Sequence, residues 1–166
     1  MQFELKPIHA DAIPEALEKA ERYRLLNEPA QAESICLDIL AVEPFHQEAL
    51  VVLLLAITDQ FGEGASARRA KEILPRLERP YDRDYYSGII CERLAHAEVR
   101  SAKHGSSYSA YELLLDAMKH YERAQGARPA TNDDSILRWN ACARFLERNS
   151  TLKPRPAEMH QEILGE

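Results

Sequence analysis

Apolar residues recur every three or four positions along most of the chain, which is the spacing of one face of an α-helix. Residues that interrupt helices, such as Pro29, Pro44 and Gly62, lie between these periodic segments. The pattern predicts about eight helices, at residues 14–27, 29–42, 46–60, 65–78, 83–104, 106–125, 131–148 and 157–164. In the fourth helix, Pro75 predicts a kink or an early end near Leu74. The connecting segments are short, so consecutive helices are predicted to form antiparallel hairpins.

The composition is typical of an all-α protein. The sequence has 23 Ala, 20 Leu and 19 Glu but only 4 Val, so strong helix formers far outnumber strand formers. With 166 residues, of which 45% are hydrophobic, the chain is long enough for one domain with its own core. We expect this domain to cover residues 1–150, followed by a linker and a C-terminal tail helix in residues 151–166.

Charge and cysteine content restrict the classes of partner. The chain has 21 Lys and Arg against 27 Asp and Glu, and the resulting net charge of −6 disfavours nucleic-acid binding. The longest apolar run, residues 49–57, is too short to cross a membrane, and the mixed first residues predict no signal peptide. Cys36, Cys91 and Cys142 are too few and too dispersed to form a disulfide framework. We therefore expect a cytoplasmic protein that binds neither nucleic acid nor membrane.

Two stretches carry a recurring spacing of small and aromatic residues. The first contains Ala20, Tyr23, Ala32, Cys36, Ile39 and Pro44. The second contains Ala117, Tyr121, Ala124, Pro129, Trp139, Cys142, Ala143 and Leu146. Both stretches resemble a divergent tetratricopeptide repeat, a family in which small residues let the two helices of a hairpin cross closely. The resemblance implies stacked antiparallel helical hairpins, that is, a tetratricopeptide-like α-solenoid. The alternative is a helical bundle without repeats, whose alanines merely pack the helices.

The third predicted helix is apolar on nearly every side and must be covered by something. In tetratricopeptide arrays the first helix of each hairpin lines a concave surface, and the resemblance implies that Val51 and Leu55 lie on it. Leu17 and Glu21 of the first helix would lie alongside. We expect apolar side chains of a partner polypeptide to bind on this surface. The tail of the chain itself, or a second copy in a homo-oligomer, could cover the surface instead.

Two polar residues of the seventh helix are further candidates for partner binding. Asn140 and Arg144 are one turn apart and could bind the backbone or an acidic group of the partner. Together these features predict a non-catalytic protein–protein interaction module, such as a scaffold or adaptor. A chaperone or adaptor for a secreted client is a related alternative that the same family supplies.

A metal-dependent helical-bundle enzyme is the alternative from a different class. Its ligands would be two pairs, each one helical turn apart: Glu92, His96, Asp116 and His120. These residues lie away from the apolar stripes of their helices, so we expect two local ion pairs on solvated faces instead. The sequence also has no glycine-rich phosphate loop and no familiar catalytic motif. We therefore expect no enzymatic activity, no cofactor and no bound metal.

Overall fold

The structure is a computed structural model that describes residues 3–155. Within these residues the chain forms seven α-helices and no strand, which confirms the all-α prediction. The helices are α1 (Ile13–Leu25), α2 (Pro29–Val42), α3 (Gln47–Asp59), α4 (Ala67–Lys71), α5 (Pro80–Ser101), α6 (Ser106–Gly126) and α7 (Asp134–Arg148). The predicted tail helix at residues 157–164 lies outside the described part of the chain.

Local sequence determines several helix ends. α4 is only five residues long and is followed by a 3₁₀ turn over Leu74–Arg76. Pro75 is in this turn, so its predicted effect on the fourth helix is confirmed, because proline cannot donate the backbone hydrogen bond that a longer helix needs. At the start of α7, the Asn132 side chain accepts a hydrogen bond from the Asp134 N–H at 2.8 Å, as expected of a capping residue.

The start of α5 differs from the prediction. The helix begins at Pro80 instead of near residue 83, because proline is favoured in the first turn, where its missing N–H costs no helical hydrogen bond. Asp82 therefore lies inside the first turn, and its carboxylate binds the Arg79 guanidinium through both oxygens, at 2.6 and 2.9 Å.

Two apolar clusters hold the helices together, and α5 contributes to both. The first cluster contains residues of α1, α2, α3 and α4, among them Leu50 and Leu54, together with Ile90 of α5. The second joins α5, α6 and α7 and includes Ile89. Adjacent helical residues point about 100° apart, so Ile89 and Ile90 bury two different sides of α5. Leu152 is also buried in the second cluster, so the packed chain extends beyond residue 150.

The most extensive helix contacts are between consecutive helices, from α1 through α2 to α3 and from α5 through α6 to α7. The small residues at the hairpin contacts are fully buried: Ala20, Ala32, Ala117 and Ala124. α3 is covered by its own chain on most sides, as its all-round apolar sequence requires. Val51 and Leu55, however, remain only half-buried, which leaves part of α3 accessible.

Candidate functional site

A groove between α1, α3 and the start of α5 has a volume of about 410 Å³. We term it the α1–α3–α5 groove. Its floor is apolar and consists of Val51 and Val52 of α3 and Tyr86 of α5. Its rim is acidic, with Glu21 on α1 and Glu48 on α3 among its carboxylates. A half-exposed apolar floor under a charged rim is the arrangement by which proteins bind and orient a partially apolar ligand.

Gln47, the first residue of α3, connects the two sides of the groove. Its side-chain amide donates to the backbone carbonyls of Phe45 and Arg76, at 2.9 and 3.2 Å. Its side-chain oxygen accepts the Glu78 N–H at 2.9 Å. These bonds hold the segment before α5 against the beginning of α3. The hydrogen bond from the Glu78 N–H to Gln47 thus fixes the position of Glu78 at the rim.

The rim carries excess negative charge. Asp82 is neutralised by its bidentate ion pair with Arg79. The other three rim carboxylates are exposed: Glu21, Glu48 and Glu78. Among residues 3–155, no ion pair involves any of these three. The groove therefore attracts cationic groups at this end.

The other end of the α3–α5 interface is basic. Asp59, the last residue of α3, binds Arg24 of α1 at 2.8 Å and also forms an ion pair with Arg93 of α5. Arg93 donates further hydrogen bonds to the Thr58 hydroxyl at 2.9 Å and to the Leu55 carbonyl at 3.2 Å. These contacts connect the three helices that line the groove, about three turns of α3 away from its acidic end.

A second cavity of about 350 Å³ lies at this basic end. It is lined by Asp59 and Arg93 together with His96 and Arg100 of α5. Burial lowers the pKa of Arg93; Asp59 opposes this effect, whereas the nearby Arg24 cation adds to it. Several cations therefore share one carboxylate, that of Asp59, and this charge distribution favours the binding of an additional anionic group.

The structure brings together some of the predicted partner-binding residues but not all of them. Glu21 and Val51 both line the α1–α3–α5 groove. Leu55 is half-buried, packs against both apolar clusters and lies between the acidic and basic ends without lining either cavity. Leu17 is only 8% exposed and belongs to the core, so the expectation that it offers contact surface is corrected.

The two polar candidates of α7 are not part of this groove. Asn140 is half-buried and Arg144 is exposed. Neither side chain lines the acidic or the basic cavity of the α3–α5 interface. Another polar residue of α7, Arg138, contacts α5 instead, since its guanidinium binds Glu92 at 3.2 Å.

Glu92 contradicts the expectation of a solvated face. It is 6% exposed and lies between α5, α6 and α7. One carboxylate oxygen accepts the Tyr121 hydroxyl at 2.6 Å, and the other contacts Arg138 and His96, at 3.2 and 3.8 Å. Burial by itself raises the pKa of Glu92, but the bonds from His96 and Tyr121 and the charge of Arg138 together lower it. The carboxylate is therefore a charged link between three helices.

This buried network was missed because sequence does not show which helices cover each side of α5. One local signal was present. Gly88, one turn before Glu92, is an isolated glycine inside a helix, and such a residue often marks close backbone approach. The Tyr121 ring packs directly on the backbone at this position, since a Cβ atom at Gly88 would lie 2.4 Å from its Cε1 atom.

The four residues of the metal-enzyme alternative do not form one site. Glu92 and His96 face α7, where the His96 ring packs edge-on against Phe145 at 4.6 Å. Asp116 pairs with Lys119 at 2.9 Å, and His120 lies 4.0 Å from Asp84. Within residues 3–155, no three His, Cys, Asp or Glu side chains are grouped closely enough to hold a metal ion.

The chain matches no family model, no curated protein and no solved structure. In the part of the chain that the structure describes, no helix combines the length and the apolar character needed to cross a bilayer. The function of this protein is therefore inferred from its own residues, and the α1–α3–α5 groove is the feature that supports a function most directly.

Proposed function

We propose that this protein is a non-catalytic interaction module that binds a segment of another polypeptide in the α1–α3–α5 groove. The observation that carries this proposal is the half-exposed floor. α3 is otherwise buried by its own chain, yet Val51 remains accessible beside Tyr86 at the bottom of a groove. Burial of an apolar partner side chain there removes this surface from water, which is the main favourable contribution to most polypeptide binding.

The order of the helices supports a tetratricopeptide-like arrangement as part of this proposal. The groove is lined by α1, α3 and α5, the alternate helices of the chain, whereas α2, α4 and α6 contribute no residue to it. Alternate helices on one concave side are what stacked hairpins produce. The fully buried Ala20 and Ala32 at the α1–α2 contact are consistent with the close crossing of such hairpins.

The occupant is proposed to be a polypeptide segment with an apolar anchor and cationic neighbours. Three exposed carboxylates surround the floor, and the one cation of the rim, Arg79, is already paired with Asp82. A wholly apolar or an anionic ligand would leave these carboxylates without counter-charge. A segment that places an apolar side chain on Val51 and cationic side chains near the rim satisfies both parts of the groove.

Selection from a random peptide library, followed by affinity measurement, tests the proposal. Peptides of about twelve residues enriched on the wild-type protein are synthesised, and their Kd values are measured by fluorescence anisotropy. We expect Val51→Asp to weaken binding at least tenfold, because it replaces the apolar contact surface of the floor with a charged group that loses its hydration when the partner's apolar side chain covers it. Val51→Thr, which keeps the shape of the side chain, is expected to weaken binding several-fold without unfolding the protein.

Val99→Asp is the matched control, since Val99 is an exposed valine of α5 that does not line the groove. This variant should bind the peptides as the wild type does. The proposal fails if no peptide is enriched, or if Val51→Asp and Val99→Asp bind equally well. It also fails if a chain that ends at Arg155 binds the peptides much more tightly than the full chain does. Residues 156–166 would then be the occupant of the groove. Self-association that Val51→Asp abolishes would instead identify a second copy of the chain.

A further inference from the structure

The acidic groove and the basic cavity are two separate depressions that lie along the same α3–α5 interface. On α3, Glu48, Val51, Leu55 and Asp59 follow one another at spacings of three or four residues, so they share one face of the helix. Val51 lines the acidic groove, and Asp59 lines the basic cavity. The half-buried Leu55 lies between them on α3, and its carbonyl accepts a hydrogen bond from Arg93 of the basic end.

α5 repeats this order of charges alongside α3. Asp82 and Tyr86, near its beginning, line the acidic groove, and Arg93, His96 and Arg100 line the basic cavity. The spacings along α5 are again multiples of one helical turn, so these side chains follow the same interface. The charge of the α3–α5 interface therefore changes sign along its length.

The net charges of the two ends are opposite. The acidic end has three carboxylates without ion-pair partners among residues 3–155, as described above. At the basic end, the guanidinium groups of Arg24, Arg93 and Arg100 outnumber the carboxylates of Asp59 and Glu63. This count includes the adjoining cavity next to Arg100, which Glu63 lines. The basic end thus keeps one positive charge.

We infer that the segment bound in the α1–α3–α5 groove continues to the basic cavity and is bipolar, with cationic residues beside Glu48 and anionic residues beside Arg100. The inference rests on the proposed function and specifies its partner. Glu48 and Asp59 are eleven residues apart on α3, or about 16 Å at 1.5 Å per residue. An extended segment covers this distance with about five residues. The partner therefore carries Lys or Arg, then apolar residues, then Asp or Glu, within one short stretch.

Charge-removal cycles with the selected peptides test this inference. For each peptide, Lys and Arg are replaced by Ala in one version, and Asp and Glu in another. We expect each replaced cation to weaken binding to the wild type about two- to five-fold. The same replacement should have little effect on peptide binding to the Glu48→Gln variant, because that variant lacks the carboxylate that the cation contacts. Replacement of the anions should likewise weaken binding to the wild type but not to Arg100→Gln.

Two control variants carry the same chemical changes outside the groove. Glu112→Gln on α6 and Arg148→Gln at the end of α7 alter exposed residues that line neither end. Both should show the full wild-type sensitivity to peptide charge. The inference is overturned if peptides bind in a Val51-dependent manner but without these charge couplings, and the proposed function then stands. If no Val51-dependent binding exists, both the inference and the proposed function are overturned.

Discussion

Replacement of Gly88 by alanine tests the packing of α5 against α6, on which the position of the groove-lining helix α5 depends. A Cβ atom at Gly88 would lie 2.4, 2.7 and 2.9 Å from three ring carbons of Tyr121. Two carbon atoms in contact prefer about 3.5–4.0 Å, so the ring would have to move by about 1 Å. Tyr121 is fully buried, and its hydroxyl is held by Glu92 at 2.6 Å, so this movement disturbs the buried network.

The expected change in stability is the sum of opposing effects. Alanine is favoured over glycine by about 1 kcal/mol in the interior of a helix. Overpacking of a well-packed core costs about 1–3 kcal/mol, and loss of a hydrogen bond to a charged group costs about 1.5–3 kcal/mol. We therefore expect Gly88→Ala to lower the free energy of unfolding by about 1.5–5 kcal/mol. In a chain of this size, such a loss lowers Tm by about 3–20 °C.

Urea and thermal unfolding followed by far-ultraviolet circular dichroism measure this effect. Gly126→Ala is the matched control, because a Cβ atom at Gly126, the last residue of α6, meets nothing within 4 Å. This control should be as stable as the wild type or more stable by up to about 1 kcal/mol. If Gly88→Ala proves at least as stable as Gly126→Ala, the close approach of Tyr121 to α5 is refuted.

Two further predictions concern buried ionisable groups. Glu92→Gln should lower the free energy of unfolding by about 1–3 kcal/mol at neutral pH. The folded-state pKa of Glu92 is below its ordinary value of 4.5, so its contribution is complete above that value and is lost as the pH falls through the lower folded-state pKa. In urea titrations between about pH 7 and pH 3, the stability difference from the wild type should therefore shrink; a constant difference would contradict this. Burial raises the pKa of the Cys36 and Cys142 thiols to about 12, so a chromogenic thiol reagent should modify the half-buried Cys91 first. Equal rates for all three thiols in the native protein would argue against this packing.

Helix positions were largely predictable because their causes are local. α2 covers residues 29–42 as predicted, since the preceding residues and Pro29 specify its beginning. The early end of α4 follows from Pro75 in the same way. The start of α5 was placed three residues late, because Asp82 could act as a cap or as an ion-pair partner of Arg79. Only the folded chain decides between these roles.

The candidate site was predictable in part. The apolar sequence around Val51 indicated that α3 has more apolar surface than one packed face needs, and the structure leaves Val51 half-buried in the groove. The charges at the two ends were not predictable. Glu78 reaches the rim through a backbone bond to Gln47, and Arg24 reaches the basic end through Asp59. Each of these contacts joins residues about 30 positions apart, and one sequence has no signal for such pairs.

The sequence by itself determined the helices, the breaks between them and the small residues at the hairpin contacts, because propensity, capping and proline geometry act within one or two turns. The tertiary structure decided which sides of α5 are covered. Helices pack on it from two directions, so Glu92 is buried although it lies away from the more apolar stripe. It also decided that α1, α3 and α5 enclose an acidic groove and that a basic cavity lies farther along the α3–α5 interface. Burial and charge environment depend on neighbours that are distant in the chain, and only the packed helices supply them.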